Sequence, residues 1–201
     1  MTTLVKPQLT FNRFLAQCPE EGRFELINGE IIEMVNTRQH IDLTDLIVKK
    51  IDLEIDRLTL NWVVKQNVAI KTINKKGMEQ GRIPDASVIN RAVWRSDPWD
   101  YGALREPIQM AVEVVSTHWE NDYLDKLDEY ERLGIKEYWI VDYLAIASRD
   151  LIGDPKFPTI SIYTLQETGH YEPQQFQGEQ PLKSVTFPEL VITPNQIFLG
   201  I

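Results

Sequence analysis

The sequence Met110-Ala111-Val112-Glu113-Val114-Val115-Ser116 decides the fold, because its unbroken apolar run is typical of a strand that is covered on both faces. A strand with one face in water would alternate apolar and polar residues. Glu113 lies inside this run, where an unpaired ionised carboxylate would be very costly. The pattern therefore predicts a partner for Glu113, which could be a cation, a metal ion or a dense set of hydrogen bonds.

A second acid occupies a comparable position upstream. Asp85 follows Arg82-Ile83-Pro84 and opens the β-prone run Asp85-Ala86-Ser87-Val88-Ile89. Proline is tolerated at the first residue of a strand, where no ladder donor is needed. Two carboxylates at neighbouring strand ends would form a hard oxygen site that suits Mg²⁺. Taken singly, Asp85 is equally compatible with a turn after proline, and Glu113 with a structural ion pair to an arginine.

Length and composition predict one domain over residues 1–201, large enough to bury a sizeable core. The single cysteine, Cys18, cannot form an internal disulfide, and the N-terminus lacks the pattern of a signal peptide. We therefore expect a cytoplasmic protein. No apolar run approaches the roughly 20 residues that cross a bilayer, so we expect no membrane partner.

The net charge of −9 argues against a protein that coats nucleic acid non-specifically, since that mode relies on neutralising many phosphates. The charge is unevenly distributed, however. Residues 49–95 contain ten basic residues against five acidic ones, and this basic segment leads into Asp85. The segment gives weak support for a polyanionic substrate, although solvated lysines on ordinary surfaces would produce the same count.

Patterning along the chain predicts an α/β (α+β) fold. The first half is expected to begin with a helix over 11–17 after the cap Thr10, followed by a hairpin over 23–34 that turns at Asn28-Gly29 and by a helix from about 40 to 60. Strands within 62–73, a turn at 74–77, a strand over 84–89 and a surface loop over 91–107 are expected to follow. The second half adds the Glu113 strand, a helix ending at Gly134, a strand over 137–142, further strands that include 159–164 and 185–187, and a last helix beginning at Thr193-Pro194. The strand, helix and strand around Glu113 suggest a parallel crossover.

A lysine on the helix after Glu113 is the third candidate. Asp122, Lys126 and Tyr130 are spaced by four residues and therefore share one helical face. The head of Lys126 could reach back toward the strand end that holds Glu113. Spacing alone favours the simpler interpretation, which is a surface pair of Asp122 with Lys126 that is worth about 0.3 kcal/mol.

Together these motifs resemble the Uma-type putative restriction endonucleases of the PD-(D/E)XK superfamily. The similarity covers nearly the whole chain. It rests on Pro84-Asp85, Glu113-Val114-Val115-Ser116, Asp122, Lys126, Tyr130, Gly134 and Glu137-Tyr138-Trp139-Ile140-Val141-Asp142, and upstream on Arg23-Phe24-Glu25-Leu26-Ile27-Asn28-Gly29-Glu30 and His40. The superfamily places a lysine two residues after the acid, whereas this chain has Val115 there. The Uma-type pattern moves that lysine onto the following helix, where it matches Lys126.

The resemblance implies a restriction-endonuclease-like core, a mixed β-sheet flanked by helices with additional N- and C-terminal strands. It implies Mg²⁺-dependent hydrolysis of phosphodiester bonds in DNA, with Mn²⁺ as an alternative ion. Asp85, Glu113 and the carbonyl of Val114 would hold the metal, and Lys126 would assist catalysis. Further candidate residues are Glu25, Glu30, His40 and Asp122.

Cleaving both strands of a duplex with one site per chain is most simply achieved by a two-fold dimer, so we expect a homodimer. Two other functions fit the sequence. A nuclease-like scaffold could bind DNA or a protein partner without cutting it, which the acidic balance and Val115 favour. A hydrolase of smaller phosphoesters would need the same chemistry.

Overall fold

The computed structural model describes residues 8–97 and 101–200 as two mixed sheets flanked by helices. The strands, in chain order, are β1 (Phe24–Ile27), β2 (Glu30–Glu33), β3 (Trp62–Lys65), β4 (Ala69–Ile73), β5 (Glu79–Arg82), β6 (Ala86–Asn90), β7 (Ala103–Leu104), β8 (Met110–Val114), β9 (Glu137–Asp142), β10 (Thr159–Leu165) and β11 (Tyr171–Gln177). The helices are α1 (Phe11–Gln17), α2 (Arg38–Arg57), α3 (Arg91–Trp94), α4 (Leu127–Leu133), α5 (Arg149–Ile152) and α6 (Pro194–Phe198), and a π-helical segment, Asn121–Lys126, leads directly into α4. This architecture confirms the predicted mixed α/β class.

The six-stranded sheet contains the strand of Glu113. Its order is β11-β10-β9-β8-β6-β3, with β8 parallel to β9 and antiparallel to β6. After β8 the chain passes through the π-helical segment and α4 and returns as β9, which confirms the predicted crossover. Gly134 follows α4 with a φ of 91°, a left-handed conformation that favours glycine at a helix end.

All residues of β8 are buried, because apolar clusters cover both faces of the strand. Val112 packs in one cluster with Leu43 of α2, and Ala111 packs in another with Tyr123 and Tyr130. Fully burying such side chains contributes about 1.5–3 kcal/mol each for the larger aliphatic and aromatic ones. The prediction from the unbroken apolar run is therefore confirmed, and Glu113 is enclosed with its neighbours.

The five-stranded sheet has the order β2-β1-β5-β4-β7. Asn28 and Gly29 join β1 to β2 with φ values of 52° and 84°, and positive φ at both central residues is what a type I′ turn requires. The hairpin predicted at Asn28-Gly29 is therefore confirmed. Strand β5 was not predicted, because Glu79-Gln80-Gly81-Arg82 lacks the β-branched and aromatic residues that mark strands. A Cβ on Gly81 would lie 3.0 Å from Cε1 of Phe14, so the absent side chain lets α1 pack closely on this strand.

Helix α2 spans 20 residues and confirms the predicted long amphipathic helix. It begins at Arg38 because the side chain of Thr37 accepts a hydrogen bond from the backbone N–H of His40 at 3.2 Å. Its buried face includes Leu43 and Ile47, and its opposite face is charged. In residues 8–97 and 101–200, no helix combines the length and apolar character needed to span a membrane.

The surface loop predicted over 91–107 is more structured than expected. The side chain of Asn90 accepts a hydrogen bond from the N–H of Ala92 at 2.8 Å, which starts the short helix α3. Later in the same range, β7 pairs with β4 in parallel. Positions 98–100 of the predicted loop lie outside the described residues.

The predicted strand over 185–187 was wrong, because a buried carboxylate binds the donors that a strand would use. Glu137 accepts hydrogen bonds from the N–H groups of Val185 at 2.7 Å and Thr186 at 2.8 Å. The hydroxyl of Ser184 also donates to Glu137 at 2.7 Å. The segment is therefore an irregular loop held around one side chain. The helix predicted at Thr193-Pro194 is confirmed as α6, and Thr193 forms its capping box with Gln196.

Candidate active site

The antiparallel pairing of β6 with β8 brings Asp85 and Glu113 together. Ala86 pairs with Val112, so the residue that precedes β6 lies beside the end of β8. The N–H of Val114 donates to Oδ2 of Asp85 at 2.7 Å. Asp85 is 4% exposed and Glu113 is 2% exposed. The structure thus places the two predicted acids next to each other and away from bulk water.

Glu113 points to the face of the sheet that is covered by the π-helical segment and α4. The hydroxyl of Tyr130 donates to Oε1 of Glu113 at 2.9 Å, and the ammonium of Lys126 lies 2.9 Å from Oε2. The ring of Tyr130 is held edge-on against Tyr138 at a centroid distance of 5.0 Å. Both oxygens of Glu113 are therefore contacted by side chains from the following helix.

Lys126 is buried, and this corrects the interpretation as a surface ion pair. It lies in the π-helical segment and is 4% exposed. Its Nζ lies 3.1 Å from Oδ1 of Asp122 and 3.6 Å from Oε1 of Glu25, in addition to Glu113. Helix spacing correctly predicted the contact with Asp122, but that contact is one of three around a shared cation. Short π-helical stretches are frequent at functional sites.

Two basic side chains, Arg23 and His40, lie beside Asp85. Nη1 of Arg23 donates to Oδ1 of Asp85 at 2.6 Å, and Nη2 of Arg23 donates to the carbonyl of Ile83. Nε2 of His40 lies 3.0 Å from the same Oδ1, but it lacks the alignment of a hydrogen bond and has no other partner among the described residues. His40 belongs to the buried face of α2 and is 5% exposed. The candidate His40 therefore lies at the site.

A second group of buried charged residues, Glu25, Arg82 and Glu129, lies next to the residues that contact Asp85 and Glu113. Glu25 accepts a hydrogen bond from the N–H of Ile83 at 3.0 Å and contacts Nη1 of Arg82 at 3.2 Å. Arg82 donates two hydrogen bonds of 2.8 Å to the carboxylate of Glu129 on α4. Such bidentate pairs are rigid as well as strong. They connect the five-stranded sheet to the helix that carries Lys126.

The charges at Asp85 and Glu113 are compensated to different extents. Burial alone would raise the pKa of Asp85, but the contacts with His40 and Arg23 outweigh burial and hold this pKa well below its ordinary value. Burial raises the pKa of Glu113 to about 8, because Lys126 offsets only part of the cost and the charge of Asp85 adds repulsion. Glu113 is therefore the less compensated of the two acids.

The pKa values of Lys126, Asp122 and Glu25 are shifted as well. Burial would lower the pKa of Lys126, but Glu113, Glu25 and Asp122 outweigh burial and raise it, so Lys126 keeps its proton. Burial raises the pKa of Asp122. In Glu25, Lys126 and Arg82 outweigh burial and lower the pKa. The cations therefore compensate Asp85 and Glu25 more fully than Glu113 and Asp122.

The donor set fits a divalent metal ion. Five buried acidic residues lie beside three cations: Glu25, Asp85, Glu113, Asp122 and Glu129 beside Arg23, Arg82 and Lys126. A metal ion bound beside Glu113 would displace the proton that the raised pKa favours on this group. Over residues 8–97 and 101–200, no three His, Cys, Asp or Glu side chains converge as a preformed metal cage. Mg²⁺ seldom uses such a cage, since it is usually held by one or two carboxylates together with waters and substrate phosphates.

Asp85, Glu113, Asp122 and Lys126 line a small space of about 50 Å³, which we call the site cavity. Val114, His118 and Asn121 line it as well, although sequence reasoning did not select the last two. Glu30 does not belong to the site. It is exposed on β2, and its side chain has no hydrogen bond or ion pair within the described part of the chain.

Sequence reasoning did not name Arg23, Arg82 and Glu129 as site residues. Arg23 opens the run 23–30 on which the family resemblance rests, and Glu129 lies on a helix without a distinctive motif. Only the three-dimensional pairing shows that these residues belong to the site. A weak signal was present for Arg82, which directly precedes the run of Ile83, Pro84 and Asp85. An arginine partner was considered for Glu113, whose carboxylate instead contacts Lys126 and Tyr130. The arginine at the site, Arg23, contacts Asp85.

Comparison with known proteins identifies the class of fold. The structure is similar to the crystal structure of a putative nuclease of the DUF820 group from Anabaena variabilis ATCC 29413, with a TM-score of 0.69 and 16% sequence identity. The match covers 95% of this chain and 98% of the other. At this identity the likeness establishes a shared fold. A search of curated proteins found no match.

The family follows from the sequence. Residues 11–195 match the model of the Uma2 family, which is described as putative restriction endonuclease. The chain therefore belongs to the Uma2 family, as its motifs suggested.

Proposed function

We propose that this protein is a Mg²⁺-dependent endonuclease that hydrolyses phosphodiester bonds in DNA, with Mn²⁺ as an alternative ion. The observation that carries the proposal is the buried ammonium of Lys126, which lies 2.9 Å from Glu113 in a cavity also lined by Asp85. Membership of the Uma2 family supports a nuclease. The incompletely compensated carboxyl group of Glu113 supports binding of a divalent cation beside it.

The residues have distinct roles in this proposal. Asp85, Glu113 and the carbonyl of Val114 would hold the metal. When bound, the ion would polarise a phosphoryl oxygen and lower the pKa of a water molecule. Lys126 would orient the attacking water, or donate to the phosphoryl oxygens as their negative charge grows while water attacks phosphorus and the ester oxygen leaves. Tyr130 keeps the Glu113 carboxylate in place.

The test is cleavage of supercoiled plasmid, linear duplex and single-stranded DNA by purified protein, with Mg²⁺, with Mn²⁺ and with a chelator. We expect metal-dependent nicking that is lost in Asp85→Ala, with circular dichroism confirming that the variant is folded. Equal cleavage by Asp85→Ala would indicate a contaminating nuclease. Absence of cleavage with either ion on every substrate would contradict the proposal.

One observation favours a second function, a catalytically silent scaffold that binds DNA or a protein partner. Arg23, Lys126 and Tyr130 already contact the carboxylate oxygens that would hold the metal. Protein cations can satisfy buried carboxylates without any metal. DNA binding that persists without divalent ions, together with no cleavage, is the result expected for the scaffold.

A further inference from the structure

The site cavity continues into a larger cleft of about 310 Å³. Arg23, Met34, Asn36 and Asp85 line both spaces, so the two are contiguous. The far side of the cleft is formed by α2 and by the turn between β3 and β4, which contributes Gln66 and Asn67. We call this space the amide cleft. A ligand with a phosphate at the site cavity would extend its next chemical group into it.

Three of the residues that line the amide cleft carry side-chain amides: Asn36, Gln66 and Asn67. Nε2 of Gln66 donates to Oδ1 of Asp45 at 3.0 Å, which fixes its orientation. Within the described residues, the side chains of Asn36 and Asn67 make no hydrogen bond, so their donors and acceptors are available to a ligand. Amides that offer a donor and an acceptor side by side match the edges of nucleobases.

The other walls favour a flat, uncharged group over a phosphate. Met34 and Ile41 supply apolar surface, and Ile41 is 46% exposed. Arg23 is the only cation among the described lining residues, and it is paired with Asp85. Asp45 adds a second carboxylate, which would repel a phosphate but could accept a hydrogen bond from an exocyclic amine of a base.

We propose that the amide cleft binds one unpaired nucleobase next to the phosphodiester that is cleaved. The proposal rests on the proposed nuclease function and extends it to the substrate, which is single-stranded or locally unpaired nucleic acid. A volume of about 310 Å³ lies at the lower end of ligand pockets, which suits one nucleoside. A base can enter such a concave site only after it has left the stack of a duplex.

Two variants test the cleft without disturbing the buried charges. Asn67 has a positive φ of 58°, so Asn67→Gly removes the amide and keeps a conformation that glycine adopts readily. Asn36→Ala removes the second free amide. Asn61→Ala is the matched control, because Asn61 is exposed before the opposite end of β3 and lies outside the cleft.

The experiment measures binding by fluorescence anisotropy in the absence of divalent ions. The probes are a labelled single-stranded DNA oligonucleotide and the same strand with abasic central positions. We expect wild-type protein and Asn61→Ala to prefer the strand with bases. Asn36→Ala and Asn67→Gly should weaken binding of that strand about three- to tenfold, as expected for one lost hydrogen bond, and leave abasic binding unchanged.

Equal affinity of the wild-type protein for both strands would overturn the proposal, and so would equal losses on both strands in the variants. The readout is independent of cleavage. The variants could lose affinity only for the strand with bases in a protein that shows no metal-dependent cleavage. That result would support base binding in the amide cleft and contradict the nuclease function. Metal-dependent cleavage by a protein that binds both strands equally well would refute base binding in the amide cleft and leave the nuclease function intact.

Discussion

At the residue scale, Lys126 is a buried cation shared by three carboxylates. Lys126→Met keeps most of the side-chain length and removes the charge. We expect turnover in DNA cleavage to fall by about a hundredfold or more, as removal of one preorganised donor commonly does. Mg²⁺ binding measured by calorimetry should be unchanged or slightly tighter, because a competing positive charge is lost.

Burial also changes the expected stability of this variant. A surface pair would cost a few tenths of a kcal/mol, whereas removing one partner of a buried pair costs roughly 3–5 kcal/mol. Urea denaturation measures this difference. The matched control is Lys71→Met, since Lys71 pairs with Glu79 outside the site cavity at 2.5 Å. Wild-type turnover in folded Lys126→Met would leave the proposed role of Lys126 without support.

Glu113 offers a test of metal binding that does not depend on activity. Glu113→Gln keeps the shape of the side chain and removes the carboxylate that the ion would contact. We expect the calorimetric signal for Mg²⁺ or Mn²⁺ to be lost in this variant, because oxygen ligands with negative charge are the ones that these ions prefer. Glu54→Gln, on α2 beside Arg57, should retain the signal. An unchanged isotherm in Glu113→Gln would refute the metal site.

The proximity of Asp85 and Glu113 could be predicted because each interrupts an apolar pattern at a strand end. Their partners could not be predicted in the same way. Arg23 is separated from Asp85 by 62 residues, and no periodicity links positions so far apart. The candidates Glu25 and His40 came from family resemblance and lie at the site, whereas Glu30 came from the same source and does not. Asp122 was also marked by its helical spacing with Lys126, which it contacts.

At the element scale, the helix after β8 was predicted at the right place but without its π-helical start. Asn121–Lys126 contains no glycine or proline that would mark an irregularity, so its pattern does not differ from that of a regular helix. The π-helical segment includes both Asp122 and Lys126. Secondary structure was thus predictable here, whereas the burial of Lys126 depended on packing against β8 and Glu25.

Glu137 is a buried carboxylate that stabilises a loop and has no contact with the site cavity. It is fully buried and accepts hydrogen bonds from Trp139, Ser184, Val185 and Thr186. In Glu137→Gln one oxygen becomes an NH₂ group, which faces N–H donors and cannot accept. We expect a loss of about 2–4 kcal/mol in the free energy of unfolding, measured with urea.

The matched control for Glu137→Gln is Glu172→Gln, because Glu172 is exposed on β11. Its free energy of unfolding should stay within about 0.5 kcal/mol of the wild type. A Glu137→Gln protein as stable as this control would show that the loop does not depend on the buried carboxylate.

At the scale of the whole molecule, one candidate active site per chain raises the question of how both strands of a duplex could be cut. A two-fold dimer would present two sites with opposite polarity, and closed two-fold symmetry is the commonest among soluble oligomers. We therefore expect sedimentation at micromolar concentration to show a dimer, with or without DNA. A monomer under both conditions would remove this explanation and favour single-strand nicking.

The last prediction concerns the chain as one cooperative unit. Arg82 in the five-stranded sheet binds Glu129 on α4, and α4 follows β8 of the six-stranded sheet, so the two sheets are joined by buried charges. We therefore propose that residues 1–201 form one domain and unfold in a single transition.

Two probes can report on the sheets separately. The described tryptophans lie in or against the six-stranded sheet, whereas Cys18, the only cysteine of the chain, packs near the five-stranded one. Urea midpoints from tryptophan fluorescence and from a fluorophore on Cys18 should coincide, and two separated midpoints would divide the chain into independent units.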